Sequence, residues 1–347
     1  MIPPEPSLRP VAGSAAAVVA LLDPWLAEDA PEPLQIATSG STGQPKRVAL
    51  SRAAVEASAE ATHAYLGGPG QWLLSVPVAY IAGVQVLVRS LLAGHRPVLG
   101  EAHPDLATAI AAMTGERRYA SLVPTQLVRA LDDQRDRTAL ASLDAVLLGG
   151  ARLDPTVRRS AEAAGIGVVE TYGMSETAGG CVYDGRPLPG VDVRVDADGR
   201  VWLCGPMLAD GYVDEPGRTA EAFVDGWFRT DDLGELDRDE RGVRLRLLGR
   251  ADDVVNSGGV KVAAAAVAQR LRAHPRVAAA EVVGVPDPEW GERVVAHVVG
   301  DLDLDEARDW VAAEHPRTWA PTVLRRHDAL PLLDNGKVDR MRLRAEA

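Results

Sequence analysis

Over the first 190 positions, apolar residues come in two alternating textures. Short, mostly apolar runs sit at 34–37, 72–76, 119–123, 145–148 and 167–170, each closed by glycine, proline or small polar residues. Runs of that length with such boundaries read as strands buried on both faces. Between them lie longer segments with apolar residues at helical spacing, at 52–65, 83–92, 105–113, 124–132 and 155–164. Residues 14–29 also read as a helix, broken near Pro24, and Ser51 is placed to cap the helix after it. This alternation predicts a layered, parallel α/β sheet, with ligands at the carboxyl ends of its strands. Three such ends carry glycine or short hydroxyls: 38–43, Gly149-Gly150 and 171–177.

Beyond Pro187 the texture changes. Residues 191–195 and 200–204 alternate around Asp198-Gly199, a hairpin signal, and 223–232 and 243–248 continue a β-rich subdomain. Gly249-Arg250-Ala251-Asp252-Asp253 then leads to Asn256-Ser257-Gly258-Gly259. The remainder reads as helix (263–273), strand (277–284), strand (293–299), helix (304–314) and strand (322–326), ending in a loop through Leu333 to Arg340. The pattern predicts a large N-terminal α/β domain over 1–250 and a small α+β domain over 251–347.

Composition narrows the partners. The 347 residues carry a formal charge of -12, which argues against nucleic acid and anionic membrane surfaces. An anionic ligand must then be held by local donors. No run approaches the ~18 apolar residues of a membrane span, and the apolar stretch at 15–22 reads as a surface helix rather than a signal peptide. Cys181 and Cys204 form no CxxC pair and the seven histidines are scattered, so no thiolate or histidine metal site is expected and the cytoplasm is the default compartment. Of the 37 lysines and arginines only Lys46, Lys261 and Lys337 are lysine. All three stand in glycine-containing loops, which marks them as candidates for sites that need a compact ammonium on a flexible stem.

The first loop is the most suggestive. Thr38-Ser39-Gly40-Ser41-Thr42-Gly43-Gln44-Pro45-Lys46 follows a strand and combines glycines, which let backbone N–H groups turn inward, with four hydroxyls. That suits a triphosphate. It is no Walker A loop, since Pro45 precedes the lysine and no Gly-Lys-Ser/Thr is present. The same composition also suits a plain polar linker.

Four later motifs decide between these readings. With the first loop, Thr171-Tyr172-Gly173-Met174-Ser175-Glu176-Thr177, Arg229-Thr230-Asp231-Asp232, Gly249-Arg250-Ala251-Asp252-Asp253 and Asn335-Gly336-Lys337 occur in this order. Together they resemble the acyl-adenylate-forming enzymes: acyl-CoA ligases, luciferases and peptide-synthetase adenylation domains. The resemblance covers nearly the whole chain and implies ATP, Mg²⁺ and CoA as ligands, and a mobile C-terminal domain. By it, Thr38, Ser39, Gly40, Ser41, Thr42, Gly43 and Lys46 hold the β- and γ-phosphates, and Gly150, Thr171, Tyr172, Gly173 and Thr177 line the AMP site. Glu176 ligates the metal, which suits a hard cation, and Asp232, with Arg250 beside it, takes the ribose. The family usually has glycine where Asp231 stands and threonine where Ser175 stands.

The resemblance makes Lys337 the catalytic group, bridging the attacking carboxylate and the α-phosphate. It makes Asp252 the hinge, and Gly258, Gly259 and Lys261 the lining of a channel for the CoA thiol. Tyr80, Gly83, Arg89 and Gly149 fall on the acyl-substrate side. Gln85 and Arg89, four apart, share a helix face. The early phosphate loop, the stretch Val76–Arg89 and Val146–Ala151 look most like the short o-succinylbenzoate–CoA ligases of actinobacterial menaquinone synthesis, although relatives often have histidine where Tyr80 stands. Another aryl- or acyl-CoA ligase, or an enzyme that loads a carrier protein, stays open, as does a non-catalytic nucleotide-binding protein. A homodimer is also left open.

Overall fold

The computed structural model describes residues 8–38, 46–332 and 338–347, with only the backbone at Asp252. Ser39, Gly40, Ser41, Thr42 and Gly43, the catalytic candidate Lys337 and the hinge side chain of Asp252 therefore lie outside the described residues. Two compact units emerge. The first takes Met1–Arg194, Trp202–Arg229 and Asp237–Leu245; the second takes Val195–Val201, Thr230–Leu236 and Arg246–Ala347.

In the first unit a seven-stranded sheet runs in the spatial order Arg186–Pro187, Gly179–Tyr183, Val168–Met174, Ala145–Leu148, Arg118–Leu122, Gln71–Leu74, Val98–Leu99. The strands from Val168–Met174 to Val98–Leu99 are parallel. Every residue of Gln71–Leu74 and of Ala145–Leu148 is buried, so both faces need covering. Leu73, Ala120, Leu122, Val146 and Leu148 pack with Leu127, Ala130 and Leu140 of the helices Pro124–Asp132 and Gln134–Ala141. The helix Ile81–Leu92 packs on the strand Gln71–Leu74 and on the helix Arg52–Leu66. Ser51 caps the latter, accepting the Ala54 N–H at 3.3 Å.

Four details differ from the sequence expectation. The sheet is mixed: Gly179–Tyr183 runs antiparallel to Val168–Met174, and Arg186–Pro187 runs antiparallel to it in turn. The strand expected at 167–170 continues as far as Met174, because Thr171, Tyr172, Gly173 and Met174 all find ladder partners across that hairpin. The helix Ala15–Ala27 continues through Pro24. Proline costs a helix one hydrogen bond, but Val18 and Leu22 before it and Trp25 after it are fully buried and hold both halves in line. The helix Gln134–Ala141, capped by Asp133, was not expected.

A second sheet of this unit orders Arg9–Pro10, Leu34–Ala37, Arg47–Leu50 and Gly211–Tyr212. The two middle strands are an antiparallel hairpin pairing Ala37 with Arg47, and they carry the phosphate-loop candidate between them.

In the second unit the strands Val260–Ala263, Val254–Ser257, Gly291–Gly300 and Val277–Asp287 make an antiparallel sheet, and Val323–Arg326 adds parallel to Gly291–Gly300. Val255, Val262, Val282 and Val298 pack with Val267 and Leu271 of the helix Ala264–Arg272 and with Val311 of the helix Leu304–Ala312. A glycine turn at 258–259 joins two short strands: Gly258 has φ 57° and Gly259 φ 78°, a region that favours glycine. Among the described residues no helix is long and apolar enough to cross a membrane.

Candidate functional site

The hairpin Leu34–Leu50 closes the neck of the hydroxyl-rich loop. The Thr38 N–H donates to the Lys46 carbonyl at 2.8 Å, and the Lys46 N–H donates to Thr38 Oγ1 at 3.2 Å. Tyr212 pairs with Val48 on the neighbouring strand. Lys46, two residues before Val48, falls on the same face of that strand. Its Nζ lies 5.4 Å from the centre of the Tyr212 ring.

The second stretch begins where the parallel strands end. Thr171 Oγ1 donates to the Leu148 carbonyl at 3.0 Å, joining the tip of one strand to the next. A side chain at Gly149 would meet Thr171 Oγ1 at 2.9 Å, so this glycine serves the close approach, while Gly150 takes a φ of 80° that favours glycine. Tyr172 is half-buried and Gly173 exposed. A Cβ on Gly173 would strike the Gly179 carbonyl and stand 2.6 Å from Gly180 Cα. After Met174 a single 3-10 turn, Ser175–Thr177, carries three buried polar residues. Thr177 is fully buried, and its hydroxyl donates to the Gly179 carbonyl at 2.7 Å while accepting the Met174 N–H at 2.9 Å, so it builds the turn.

Glu176 is 7% exposed. Its carbonyl accepts the Ala209 N–H at 2.9 Å, and its Oε1 accepts the Tyr212 hydroxyl at 2.8 Å. No described lysine, arginine or histidine forms an ion pair with it. A buried carboxylate supplied with a neutral donor and no cation is a fit partner for a hard divalent ion. No group of three metal-ligating side chains exists among the described residues. A Mg²⁺ here would draw its remaining ligands from phosphate and water, which is the usual pattern for this ion. Tyr212 gave no signal in the sequence; only the strand pairing reveals it.

On the acyl-substrate side, Tyr80 precedes the helix Ile81–Leu92 and is exposed. A Cβ on Gly83 would approach Val78 Cα to 2.7 Å, so the glycine lets the helix lie on the chain before it. Gln85 and Arg89 both turn toward the strand Gly179–Tyr183. Gln85 Nε2 donates to the carbonyls of Ala178 at 2.8 Å and Val55 at 3.1 Å. That holds the left-handed Ala178 (φ 47°) in place. Arg89 is 3% exposed, donates to the Tyr183 hydroxyl at 3.4 Å and lies 5.1 Å from the Trp72 ring centre. No described carboxylate pairs with it, and burial lowers its pKa. Burial, and then the Arg89 cation, push His63 down to about 4, so His63 is neutral at pH 7.

The second unit gathers its own candidates. Arg250 approaches Asp231 at 3.6 Å and Asp232 at 4.0 Å, while Arg200 binds Asp231 at 3.0 Å. The Asp232 N–H donates to Thr230 Oγ1 at 3.0 Å. The turn Ala251–Asp253 follows. Arg340 ties that turn to the sheet, pairing with Asp253 and donating twice to Glu281 Oε1, at 2.6 and 3.0 Å. Lys261 pairs with Asp198 at 3.1 Å in an exposed contact. Trp290, half exposed, lies against Gly258: a Cβ there would fall 2.6 Å from the indole.

A mixed α/β sheet with a buried carboxylate at a strand end fits a nucleotide-using enzyme, and the chain belongs to the AMP-binding enzyme family. The family model matches residues 28–213, and the model of the AMP-binding enzyme C-terminal domain matches 266–337. The chain is 48% identical over 322 residues to a probable 2-succinylbenzoate–CoA ligase of Mycobacterium tuberculosis, covering 89% of this chain and 83% of that one. It is 33% identical to the 2-succinylbenzoate–CoA ligase of Escherichia coli, covering 88% of this chain and 67% of that one. Among solved structures, o-succinylbenzoate CoA synthetase of Bacillus subtilis with the acyl-adenylate intermediate OSB-AMP matches with a TM-score of 0.73 and 26% identity, over 89% of this chain and 68% of that one. ATP-bound MatB of Rhodopseudomonas palustris matches with a TM-score of 0.75 and 28% identity, over 90% and 67%. Backbone similarity is thus near-equal for relatives with different names.

Proposed function

We propose that this protein is an ATP-dependent acid–thiol ligase that makes 2-succinylbenzoyl-CoA for menaquinone synthesis in the cytoplasm. The observation that carries the reading is the 48% identity with the mycobacterial ligase across 89% of the chain. The buried Glu176, without an ion-pair partner among the described residues, supports it.

In the first half-reaction a carboxylate oxygen attacks the α-phosphorus of ATP, forming acyl-AMP and releasing pyrophosphate. Residues 38–43 and Lys46 hold the β- and γ-phosphates, Gly150, Thr171, Tyr172 and Gly173 form the AMP side, and Asp232 and Arg250 take the ribose. Thr177 shapes this site through the turn. Glu176 would hold Mg²⁺, which would supply charge neutralisation on the phosphates when bound. Lys337 bridges the attacking carboxylate and the α-phosphate. In the second half-reaction the CoA sulfur attacks the acyl carbon and AMP leaves. Asp252 is the hinge between the two states, with 251–347 acting as the lid, and Gly258, Gly259 and Lys261 line the thiol's path. Tyr80, Gly83 and Gly149 bound the acyl group.

Arg89 gives the substrate choice its physical basis. A buried guanidinium without a carboxylate partner is costly, and the second carboxylate of 2-succinylbenzoate would complete it. We expect Arg89→Met to raise the KM for 2-succinylbenzoate by roughly 10²-fold or more, as loss of a buried charge pair does, while benzoate analogues lacking the succinyl carboxylate are unaffected. Equal losses for both acids would make Arg89 structural.

The function itself is tested by ATP–pyrophosphate exchange over a panel of aromatic and aliphatic acids, followed by addition of CoA. Exchange should be strongest with 2-succinylbenzoate, and free CoA should discharge the adenylate. Strong exchange with a different acid only, or discharge by a carrier protein and not by CoA, overturns the reading.

A further inference from the structure

We infer that Tyr212 is a positioning residue: its phenol holds the Glu176 carboxylate, and its ring keeps Lys46 from neutralising it. The inference rests on the reading of Glu176 as the metal-binding group. Tyr212 is 8% exposed and firmly seated. Its N–H donates to Thr219 Oγ1 at 2.9 Å, and that hydroxyl donates onward to the Glu215 carbonyl at 3.0 Å. The preceding Gly211 has φ 143°, and a Cβ there would meet Thr219 Cγ2 at 2.5 Å. Phe223 packs edge-on at 6.0 Å between ring centres. Backbone and ring are thus fixed before the hydroxyl reaches Glu176.

The chemistry follows from what sits on each side of the ring system. A carboxylate that is 7% exposed needs a hydrogen bond to stay buried. Had that donor been arginine or lysine, it would have cancelled the charge that a divalent cation needs. A phenol satisfies one oxygen and leaves the charge in place. Lys46 and Arg218 both lie over the Tyr212 ring, at 5.4 and 5.7 Å, and no ion pair joins either to Glu176 among the described residues. The π face attracts the Lys46 ammonium there. One side chain therefore keeps an ammonium available for phosphate oxygens and a carboxylate available for metal.

The test uses the full chain with Mn²⁺ as a paramagnetic probe and a non-hydrolysable ATP analogue. Mn²⁺ affinity of the enzyme–analogue complex is read by electron paramagnetic resonance, and analogue binding without metal by calorimetry. Tyr212→Phe keeps the ring and loses the donor; it should weaken Mn²⁺ binding about tenfold, the size of one charge-assisted hydrogen bond, and leave metal-free analogue binding unchanged. Tyr212→Leu should weaken both. Glu176→Gln should weaken Mn²⁺ more than Tyr212→Phe does, and the double variant should match Glu176→Gln alone, because the phenol acts only through that carboxylate. Wild-type Mn²⁺ affinity in Tyr212→Phe, with a loss in Glu176→Gln, overturns the role of Tyr212 alone. Wild-type affinity in Glu176→Gln overturns the metal assignment beneath it. Additive losses in the double variant mean that Tyr212 acts by general stability, which also overturns the proposal.

Discussion

Replacing Lys337 with alanine is expected to lower ATP–pyrophosphate exchange by ~10²–10³ or more, the loss seen when one preorganised charge is removed from a transition state. The physical case is charge crowding. A carboxylate approaching an α-phosphate brings two anions together, and the chain has only three lysines with which to bridge them. The Lys46 ammonium lies over the Tyr212 ring. Lys261 pairs with Asp198. Lys337 is the lysine proposed for the reacting centre. The variant should still turn over pre-formed acyl-adenylate with CoA, since that step forms no new phosphate charge of the same kind. Asp252→Pro is the counterpart: it should spare exchange and slow thioester formation. Near-normal exchange in Lys337→Ala, or equal loss of both halves in Asp252→Pro, would refute these roles.

The second large effect is expected at Gly173. In Gly173→Ala the new methyl would strike the Gly179 carbonyl and come within 2.6 Å of Gly180 Cα. Both are backbone of the paired strand, so no rotamer change relieves the clash. The hairpin Val168–Tyr183 must open, and it carries Tyr172 and the Glu176 turn. Overpacking of this kind costs about 1–3 kcal/mol, and more where backbone must move. We expect a fall in melting temperature of several degrees, with AMP affinity reduced beyond what the lost stability explains. The neighbouring Gly150→Ala is a fair control: its nearest neighbour would be Val123 Cγ1 at 3.7 Å, so only its φ of 80° opposes the change. A Gly173→Ala protein that melts and binds AMP like the parent would falsify the close-approach account.

Much of this was readable from residue order. The buried strands showed as apolar runs closed by glycine or proline, because a strand covered on both faces has no reason to alternate. That Gln85 and Arg89 share a helix face followed from helical spacing alone, and both proved buried. What stayed hidden depends on partners distant in sequence. Tyr172-Gly173-Met174 has the composition of a loop, yet a facing strand makes it a ladder. Pro24 looked like a helix end, and three buried side chains overrode it. That the Thr177 hydroxyl also builds its own turn, with Met174 and Gly179, was not legible. Tyr212 belongs to a two-residue strand, too short for any pattern, and only its register with Val48 brings it to Lys46 and Glu176.

The indole lying on Gly258 has a practical consequence. Of the seven tryptophans, Trp25 and Trp72 are fully buried, while Trp290 is 51% exposed and is the tryptophan most open to water among the described residues. Its emission should be the reddest and the most accessible to iodide or acrylamide. Because the ring touches the glycine turn assigned to the thiol's path, the chain carries its own fluorophore there. Packing of that turn can be followed through turnover without attaching a dye.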